Sequence, residues 1–308
     1  MDTVLNKGTA KIRKKRILLT NIKWLSFVIP SLVFYIIFFI MPSLSGAFYS
    51  FTDWDGVNAT FIGLENYTKL FQDAEILSSF KNTIFYTLFI SVIQNVLGLF
   101  FAVLLQKSSI KNNILRVLIF MPHIFSSLLI GYIFKFILES NIGSLNYILE
   151  SAGLAGWIHP WLSDPVSAKW VIVFVTVWQC VGYTMVINIA GLQGVSSDYY
   201  ESASLDGASK WQQFKNITFP LIAPSTTINV MMCLIGNLQI FNQIYSITGG
   251  GPGYQTESIA TTMYRLGFGS AGSGRWGYGA AMANVLFFVI MILTVFVTTV
   301  LRKREVEA

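Results

Sequence analysis

Long apolar stretches alternate with short polar ones along this chain, and this alternation is its main structural signal. Each apolar stretch is long enough to cross a bilayer, which takes about 20 mostly apolar residues in a helix. The stretches cover residues 24–48, 81–105, 114–138, 168–192, 219–245 and 279–301. The pattern predicts an all-α membrane protein with about six transmembrane helices.

The composition agrees with this interpretation. Hydrophobic residues make up 54% of the chain and charged residues only 12%, whereas a soluble domain carries roughly a quarter charged residues. Pro42 and Pro122 lie inside predicted helices and should bend them, because proline lacks a backbone donor. The predicted organisation is a basic segment (1–23), a first helix with an outer loop (24–80), a five-helix transmembrane domain (81–301) and a tail (302–308).

The distribution of positive charge predicts the orientation. With six spans, 15 Lys and Arg residues lie on the side of both termini, five lie on the other side, and Lys135 falls near the end of a span. Positive residues favour the inner face, so both termini are expected in the cytoplasm and the protein in the cell membrane, multi-pass. The net charge of +6 thus reflects basic membrane flanks that attract lipid headgroups, and nucleic acid is not expected as a partner.

The loop at 193–218, between the fourth and fifth spans, is much more polar than its neighbours. Ser197 or Asp198 is expected to cap a short helix, and Gly207 to end it in a left-handed conformation. The following residues are expected to start a second helix that enters the membrane near Phe219. On periodicity alone, an amphipathic connector lying on the lipid surface would give the same pattern.

The spacing within this loop is more specific than its periodicity. The sequence from Glu201 to Pro224 reads E-x-A-x-x-D-G-A-x(5)-F-x-x-I-x-x-P-x-x-x-P. This closely resembles the EAA loop of permease subunits of binding-protein-dependent ABC importers, with Ser202 in place of the usual Ala. Residues 50–71 and the Thr-Gly-Gly-Gly-Pro turn at 248–252 resemble segments of sugar-uptake permeases of the maltose and glycerol-phosphate type. Gln212 falls outside the matching positions, so its replacement is expected to have little effect.

The resemblance implies a fold, a function and a set of partners. The fold would be that of a type I ABC importer transmembrane domain, and the chain would form a carbohydrate pathway together with a second permease subunit. Two ATP-binding subunits would supply the energy, with ATP and Mg²⁺ bound to them, and an extracytoplasmic solute-binding protein would deliver the sugar. The residues implied to couple the loop to the ATPase are Glu201, Ser202, Ala203, Asp206, Gly207, Ala208 and Phe214.

No catalytic, metal or cofactor site is predicted in this chain. The sequence lacks the G-x-x-x-x-G-K-[ST] phosphate loop, so ATP hydrolysis is assigned to partner subunits. His123 and His159 have no Cys, Asp or Ser at motif spacing, and Cys180 and Cys233 lie in apolar stretches without metal-site spacing. The chain is therefore interpreted as a transport subunit and not as an enzyme.

An ion-coupled secondary transporter of a small polar solute is the alternative function, since it would share this composition and topology. Such proteins usually carry acids or histidines inside the membrane as ion relays. The predicted spans hold almost none, which favours the ABC permease.

Polar and aromatic residues near the EAA loop are the candidates for the sugar pathway. A neutral polyol calls for hydrogen-bonding groups and aromatic faces in place of charges. The candidates are Thr176, Gln179 and Tyr183 on one face of the fourth span, and Asn229, Gly236, Asn237 and Phe241 in the fifth. Bonding between neighbouring helices is an alternative role for each of the polar residues.

Overall fold

The structure, a computed structural model, describes residues 27–140, 143–269 and 274–303. The predicted basic segment 1–23 and residues 304–308 of the predicted tail lie outside the described residues. Within these ranges the chain is helical apart from turns and one antiparallel bridge between Thr52 and Phe61. The prediction of an all-α protein is confirmed.

The helices are α1 (Phe27–Tyr49), α2 (Glu65–Gln72), α3 (Ala74–Leu105), α4 (Ile110–Ile124), α5 (Ser127–Leu138), α6 (Ser144–Ser151), α7 (Pro165–Gln193), α8 (Ser197–Leu205), α9 (Lys210–Leu221), α10 (Ala223–Leu238), α11 (Asn242–Ile247), α12 (Ile259–Phe268) and α13 (Trp276–Arg302). In the described ranges, α1, α3, α7 and α13 are each long and apolar enough to cross a membrane. Two bent pairs, α4 with α5 and α9 with α10, bring the number of spans to six if each pair counts as one. The prediction of about six spans is confirmed.

Helices α3 and α7 form the centre of the bundle. They approach each other closely at Gly98, where an added Cβ would lie 2.5 Å from the Thr184 Cγ2 atom and 3.2 Å from the Met185 backbone nitrogen. Gln94 donates to the Thr184 hydroxyl at 2.8 Å one turn away. A glycine on one helix and a hydroxyl on the other let the backbones approach closely and bond, as is common between membrane helices.

The third apolar stretch does not form one helix. Helices α4 and α5 meet at 93°, three residues after Pro122, so the bend expected from this proline is a complete break. The side chain of Gln179, on α7, donates to the Phe125 carbonyl and to the Ser127 hydroxyl, both at 3.1 Å. Its own carbonyl oxygen accepts from Gln243 at 3.2 Å. The polar backbone exposed by the break is thereby satisfied inside the protein, as a bilayer requires.

The fifth stretch is also interrupted. Helices α9 and α10 meet at 67° around Ile222, and α10 ends at Leu238, seven residues before the predicted end. The chain then breaks before α11, and the Ser258 hydroxyl donates to the Ile240 carbonyl at 2.6 Å. This break, like the one at Phe125, is covered by a side chain from a distant part of the sequence.

The segments that follow the two breaks, α5 and α11, pack directly on each other. An added Cβ at Gly131 would clash with the Ser246 hydroxyl and would lie only 2.7 Å from the Ser246 Cβ. The glycine therefore sets the spacing of this pair. Gln179 and Gln243 join the same two segments to α7, so α5, α7 and α11 form one packed unit.

Both π-helical turns in the described ranges precede a proline. Residues Ile36–Ile40 lie just before Pro42, and the Met41 N–H donates to the Ile36 carbonyl. Residues Phe214–Thr218 lie just before Pro220, and the Phe219 N–H donates to the Phe214 carbonyl. Because proline cannot donate, the wider turn shifts the bonding pattern by one residue and keeps the helix continuous up to the proline.

Replacing Gln179 with Leu should destabilise the bundle, because it removes the donor to the Phe125 carbonyl at the break and leaves the Gln243 amide buried without a partner. Each such group costs roughly 1–3 kcal/mol, so the melting temperature of the purified protein in detergent should fall by several degrees. Gln239→Leu is the matched control, since this exposed side chain lies beside the other break. Equal melting temperatures for the two variants would show that Gln179 does not hold the break together.

Candidate functional site

The polar loop folds as a helix, a tight turn and a second helix, as the sequence predicts. Helix α8 begins after Ser196, whose side chain accepts from the Asp198 N–H. The expectation that Ser197 or Asp198 caps this helix is therefore wrong by one or two positions. Ser196, Ser197 and Asp198 are all of residue types that cap helices, so the sequence did not show which of them does so. Asp198 instead lies in the first turn, where the helix dipole favours an acid.

Gly207 ends α8 in the predicted left-handed conformation, with a φ of 76°. Its N–H donates to the Ser204 carbonyl at 3.1 Å, and the Ala208 N–H donates to the Ala203 carbonyl at 2.9 Å. These two bonds form a Schellman motif, which satisfies the last carbonyls of the helix. Ala203, Gly207 and Ala208 of the EAA motif therefore form this turn.

The second helix begins with a capping box between Ser209 and Gln212. The Ser209 hydroxyl accepts from the Gln212 N–H, and the Gln212 side chain accepts from the Ser209 N–H at 2.7 Å. Its side chain therefore helps to start α9, a role that its place outside the matching positions did not indicate. The small effect expected from replacing Gln212 stays a prediction. The pattern S-x-x-Q in the sequence would have revealed this role.

Two side chains, Gln213 and Tyr200, fix α8 against α9. The Gln213 amide donates to the Ser204 hydroxyl at 2.9 Å and to the Ala208 carbonyl at 3.3 Å. The Tyr200 hydroxyl bonds to the Thr218 hydroxyl at 3.0 Å. Sequence reasoning missed these residues, since Gln213 lies in a polar stretch where nothing distinguishes a buried amide from an exposed one. The contacts make α8 and α9 one unit that continues into α10.

The end of this unit presents apolar side chains to solvent. Leu205 is 90% exposed and Trp211 is 69% exposed, and both lie close to the turn at Gly207. Phe214 is half-buried and stacks on Trp211 with ring centroids 5.6 Å apart. Glu201, Ser202, Asp206 and Gly207 are exposed, and Ala203 and Ala208 are half-buried.

A cavity of about 480 Å³ separates this unit from the ends of α3 and α7. Gln106 and Gln193 contribute to one wall, and Tyr200, Lys210 and Phe214 to the other. Arg116, on α4, donates to the Leu105 and Gln106 carbonyls and so closes the end of α3. The charged Arg116 side chain thus stabilises the end of α3, which forms part of the cavity wall on the membrane side.

Four of the candidate pathway residues are buried inside this chain: Thr176, Gln179, Asn229 and Asn237. Thr176 bonds its own helix at the Ile172 carbonyl. Asn229 donates to the Thr184 carbonyl at 3.3 Å and Asn237 to the Ser91 hydroxyl at 3.0 Å. These contacts are intrahelical or interhelical, as the alternative role proposes, and contact with a substrate stays a prediction for all four.

The other three candidates have accessible surface. Tyr183 is half-buried and stacks on His123, with centroids 5.0 Å apart. Gly236 is exposed, and an added Cβ would meet nothing within 4 Å. Phe241 is half-buried at the break between α10 and α11 and packs against Tyr245 and Tyr264.

The turn at 248–257 lies at the opposite end of the bundle from the EAA loop, and α3 holds it in place. Asn82 donates to the Gln255 and Glu257 carbonyls at 2.8 and 2.9 Å. Burial raises the pKa of the Glu257 carboxyl to about 7, and the two N–H groups that Arg265 donates to it favour the ionised form. Arg265 also pairs with Glu75, which joins α12 to the start of α3.

Among the described residues, no group of three or more His, Cys, Asp or Glu side chains is placed to hold a metal ion. Cys180 and Cys233 are free thiols. The features that stand out in this site are a tight turn at Gly207, an apolar tip at Leu205 and Trp211, and the direct connection of α9 to α10.

Comparison with known proteins identifies the family. Residues 94–306 match the family described as binding-protein-dependent transport system inner membrane component. The probable starch degradation products transport system permease protein AmyD of Thermoanaerobacterium thermosulfurigenes is 36% identical over 92% of this chain and 95% of its own length. The trehalose/maltose transport system permease protein MalF of Thermococcus litoralis is 30% identical over 90% and 93%.

The fold also matches a solved transporter structure. A chain of a bacterial alginate ABC transporter, in complex with an alginate pentasaccharide-bound periplasmic protein, superposes with a TM-score of 0.82. It is 21% identical and the match covers 94% of this chain and 96% of that one. The family match and the two sequence relatives, each aligned over most of their length, show that the chain belongs to the permease subunits of binding-protein-dependent ABC transporters.

Proposed function

We propose that this chain forms, with a second permease subunit, the pathway by which a carbohydrate enters the cell. The sequence relatives include permeases named for starch degradation products and for trehalose and maltose, which supports a carbohydrate as the substrate. An extracytoplasmic binding protein delivers the sugar, and two ATP-binding subunits drive transport. The alternative of an ion-coupled transporter is not favoured, because the chain belongs to a family of ABC permeases.

The observation that carries this proposal is the exposed turn between α8 and α9. A helix that ends in an apolar tip, with Leu205 and Trp211 exposed, is an unusual surface for solvent and suits insertion into a cleft of another protein. Gln213 and Tyr200 connect the tip rigidly to α9. Movement of an ATPase subunit bound here would therefore be passed to α10 through α9.

The orientation in the membrane follows from charge. The proposed inner face carries the EAA loop, the α3–α4 connection and both termini, where 15 Lys and Arg residues lie. The proposed outer face carries the segment after α1, helix α6 and the turn at 248–257. In this orientation the protein lies in the inner membrane of the cell. The apolar tip then faces the cytoplasm, where ATP is available.

The orientation can be tested with single cysteines that react with a membrane-impermeant maleimide. Val57 is 89% exposed on the proposed outer face, and Lys215 is exposed on the proposed inner face. Val57→Cys should be labelled in intact cells or spheroplasts, and Lys215→Cys only after lysis. Labelling of both from outside would contradict the topology.

The energy source can be tested on the purified chain. Because the sequence has no phosphate-binding loop, the chain alone should neither bind nor hydrolyse ATP, whereas the assembled transporter should do both. A tryptophan-fluorescence titration with MgATP and a phosphate-release assay measure the two properties. Hydrolysis by the isolated chain, in a preparation free of other proteins, would overturn the assignment of ATP to partner subunits.

Gly207→Val should abolish the interaction with the ATPase. Valine is strained at a φ of 76° by about 1–3 kcal/mol, and its bulk projects from the turn toward the partner, since nothing in this chain lies within 4 Å of an added Cβ. Gly153→Val is the matched control, because Gly153 has a φ of 73° and equally open surroundings on the opposite face. Co-purification of the ATPase and sugar uptake measure the effect.

The two variants should differ although their local strain is the same. We expect normal membrane insertion for both, loss of ATPase co-purification and uptake for Gly207→Val, and near-normal values for Gly153→Val. If Gly207→Val assembled and transported like the unmodified chain, the loop would be an ordinary connector.

A further inference from the structure

A continuous series of aromatic rings runs along the proposed outer side of the bundle. Consecutive ring centroids are 5.2, 5.6, 4.7, 5.7 and 4.2 Å apart. In order, the rings belong to Phe241, Tyr264, Phe268, Trp276, Trp54 and Tyr49. Tyr245 packs beside the first two, at 5.3 Å from Phe241 and 5.4 Å from Tyr264. We call these seven residues the aromatic ladder.

The aromatic ladder is assembled from distant parts of the chain. Phe241 lies at the break before α11, Tyr264 and Phe268 on α12, Trp276 at the start of α13, and Trp54 in the segment after α1. Helical spacing explains only the pairs Tyr264–Phe268 and Phe241–Tyr245. The other contacts depend on how these elements pack, so the series is a product of the tertiary fold.

Several rings of the ladder are accessible while their neighbours hold them in place. Tyr245 and Tyr264 are each 40% exposed, and Phe268 is 64% exposed. Trp276 and Trp54 are half-buried, and the Trp54 carbonyl accepts from the Gly277 N–H at 2.9 Å. The exposed rings thus pack against other rings of the ladder, so they need little further ordering to bind a ligand.

The surface around the inner end of the ladder is not suited to lipid. Gln239 and Asn242 are exposed beside Phe241, and Tyr245 and Tyr264 add phenol groups. By contrast, the exposed side chains in the middle of α13, such as Phe288, Ile292 and Phe296, are purely apolar, as a bilayer-facing helix requires. Amide side chains turned toward lipid would be costly, so this surface faces a polar space.

We propose that the aromatic ladder is a carbohydrate-binding track that leads the sugar from the outer face to Phe241. The apolar C–H faces of sugar rings pack on aromatic faces, and amide and phenol groups bond the sugar hydroxyls. A series of similar rings at similar spacing binds the ligand at successive positions, which permits movement along it. This inference rests on the proposed function and adds six residues to the predicted pathway residue Phe241: Tyr49, Trp54, Tyr245, Tyr264, Phe268 and Trp276.

The test uses the complete transporter, with its partner permease, ATPases and binding protein, reconstituted in proteoliposomes. Uptake of maltose, maltotetraose, trehalose and diacetylchitobiose is measured first with the unmodified chain. The variants are Tyr264→Leu, Phe268→Leu and Tyr245→Leu, which remove a ring but keep apolar bulk, and Tyr264→Phe, which keeps the ring. Phe288→Leu is the matched control on the bilayer-facing surface.

We expect each ring-removing variant to raise the KM for uptake by about 2–10-fold, the range that corresponds to one lost aromatic contact. The kcat for uptake and the ATPase activity without sugar should stay within twofold of the unmodified transporter. Tyr264→Phe loses the phenol hydroxyl but keeps the ring, so it should raise the KM less than Tyr264→Leu does. Phe288→Leu should keep the original KM. Phe268 is the most exposed of the three rings, so its variant is expected to assemble normally, which co-purification of the partner subunits verifies.

Two results distinguish failure of this inference from failure of the proposed function. If the unmodified transporter takes up none of the sugars tested, carbohydrate import itself is contradicted, and the track falls with it. If the unmodified transporter imports a sugar and the Leu variants keep its KM, the ladder is structural only. The track would also be overturned if the control Phe288→Leu raised the KM as much as the three ring-removing variants do. The same holds if Tyr264→Phe raised the KM as much as Tyr264→Leu.

Discussion

Inside a bilayer, every interruption of a helix leaves carbonyl groups that water cannot reach, and the structure depends on covering them. Gln179 covers Phe125 at the break between α4 and α5, and Ser258 covers Ile240 before α11. Both covering side chains come from elements distant in sequence. The interruptions are therefore stable only in the assembled bundle, and they create the surfaces from which the candidate pathway is built.

The EAA loop has two mechanical elements, and the residues of its sequence motif make both. Gly207 provides the turn that ends α8 and exposes the apolar tip. Pro220 and Pro224 lie on either side of the 67° bend between α9 and α10, where each proline removes a backbone bond. The motif thus specifies the turn at one end of α9 and the bend at the other, which accounts for the long spacing between its first and last positions.

Apolar length and turn chemistry predicted the six spans and the left-handed Gly207, because both depend on local sequence. The break at Phe125 was not predicted, since a straight and a broken span have the same hydrophobicity and only the distant Gln179 makes the break tolerable. For the same reason nothing in the sequence distinguished Gln213, buried under α8, from its exposed neighbours. The aromatic ladder lay beyond prediction, because its rings come from segments more than two hundred residues apart.

The hydrogen bonds inside the bundle limit how this chain can contact a polyol. The amide donors of Gln179, Asn229 and Asn237 are already used within the bundle, and withdrawing one would leave a buried group without a partner. Accessible surface near the break before α11 is instead provided by Gly236, Phe241 and the exposed tyrosines. Binding of a sugar through aromatic faces, as we propose, would break none of the bonds that stabilise the bundle.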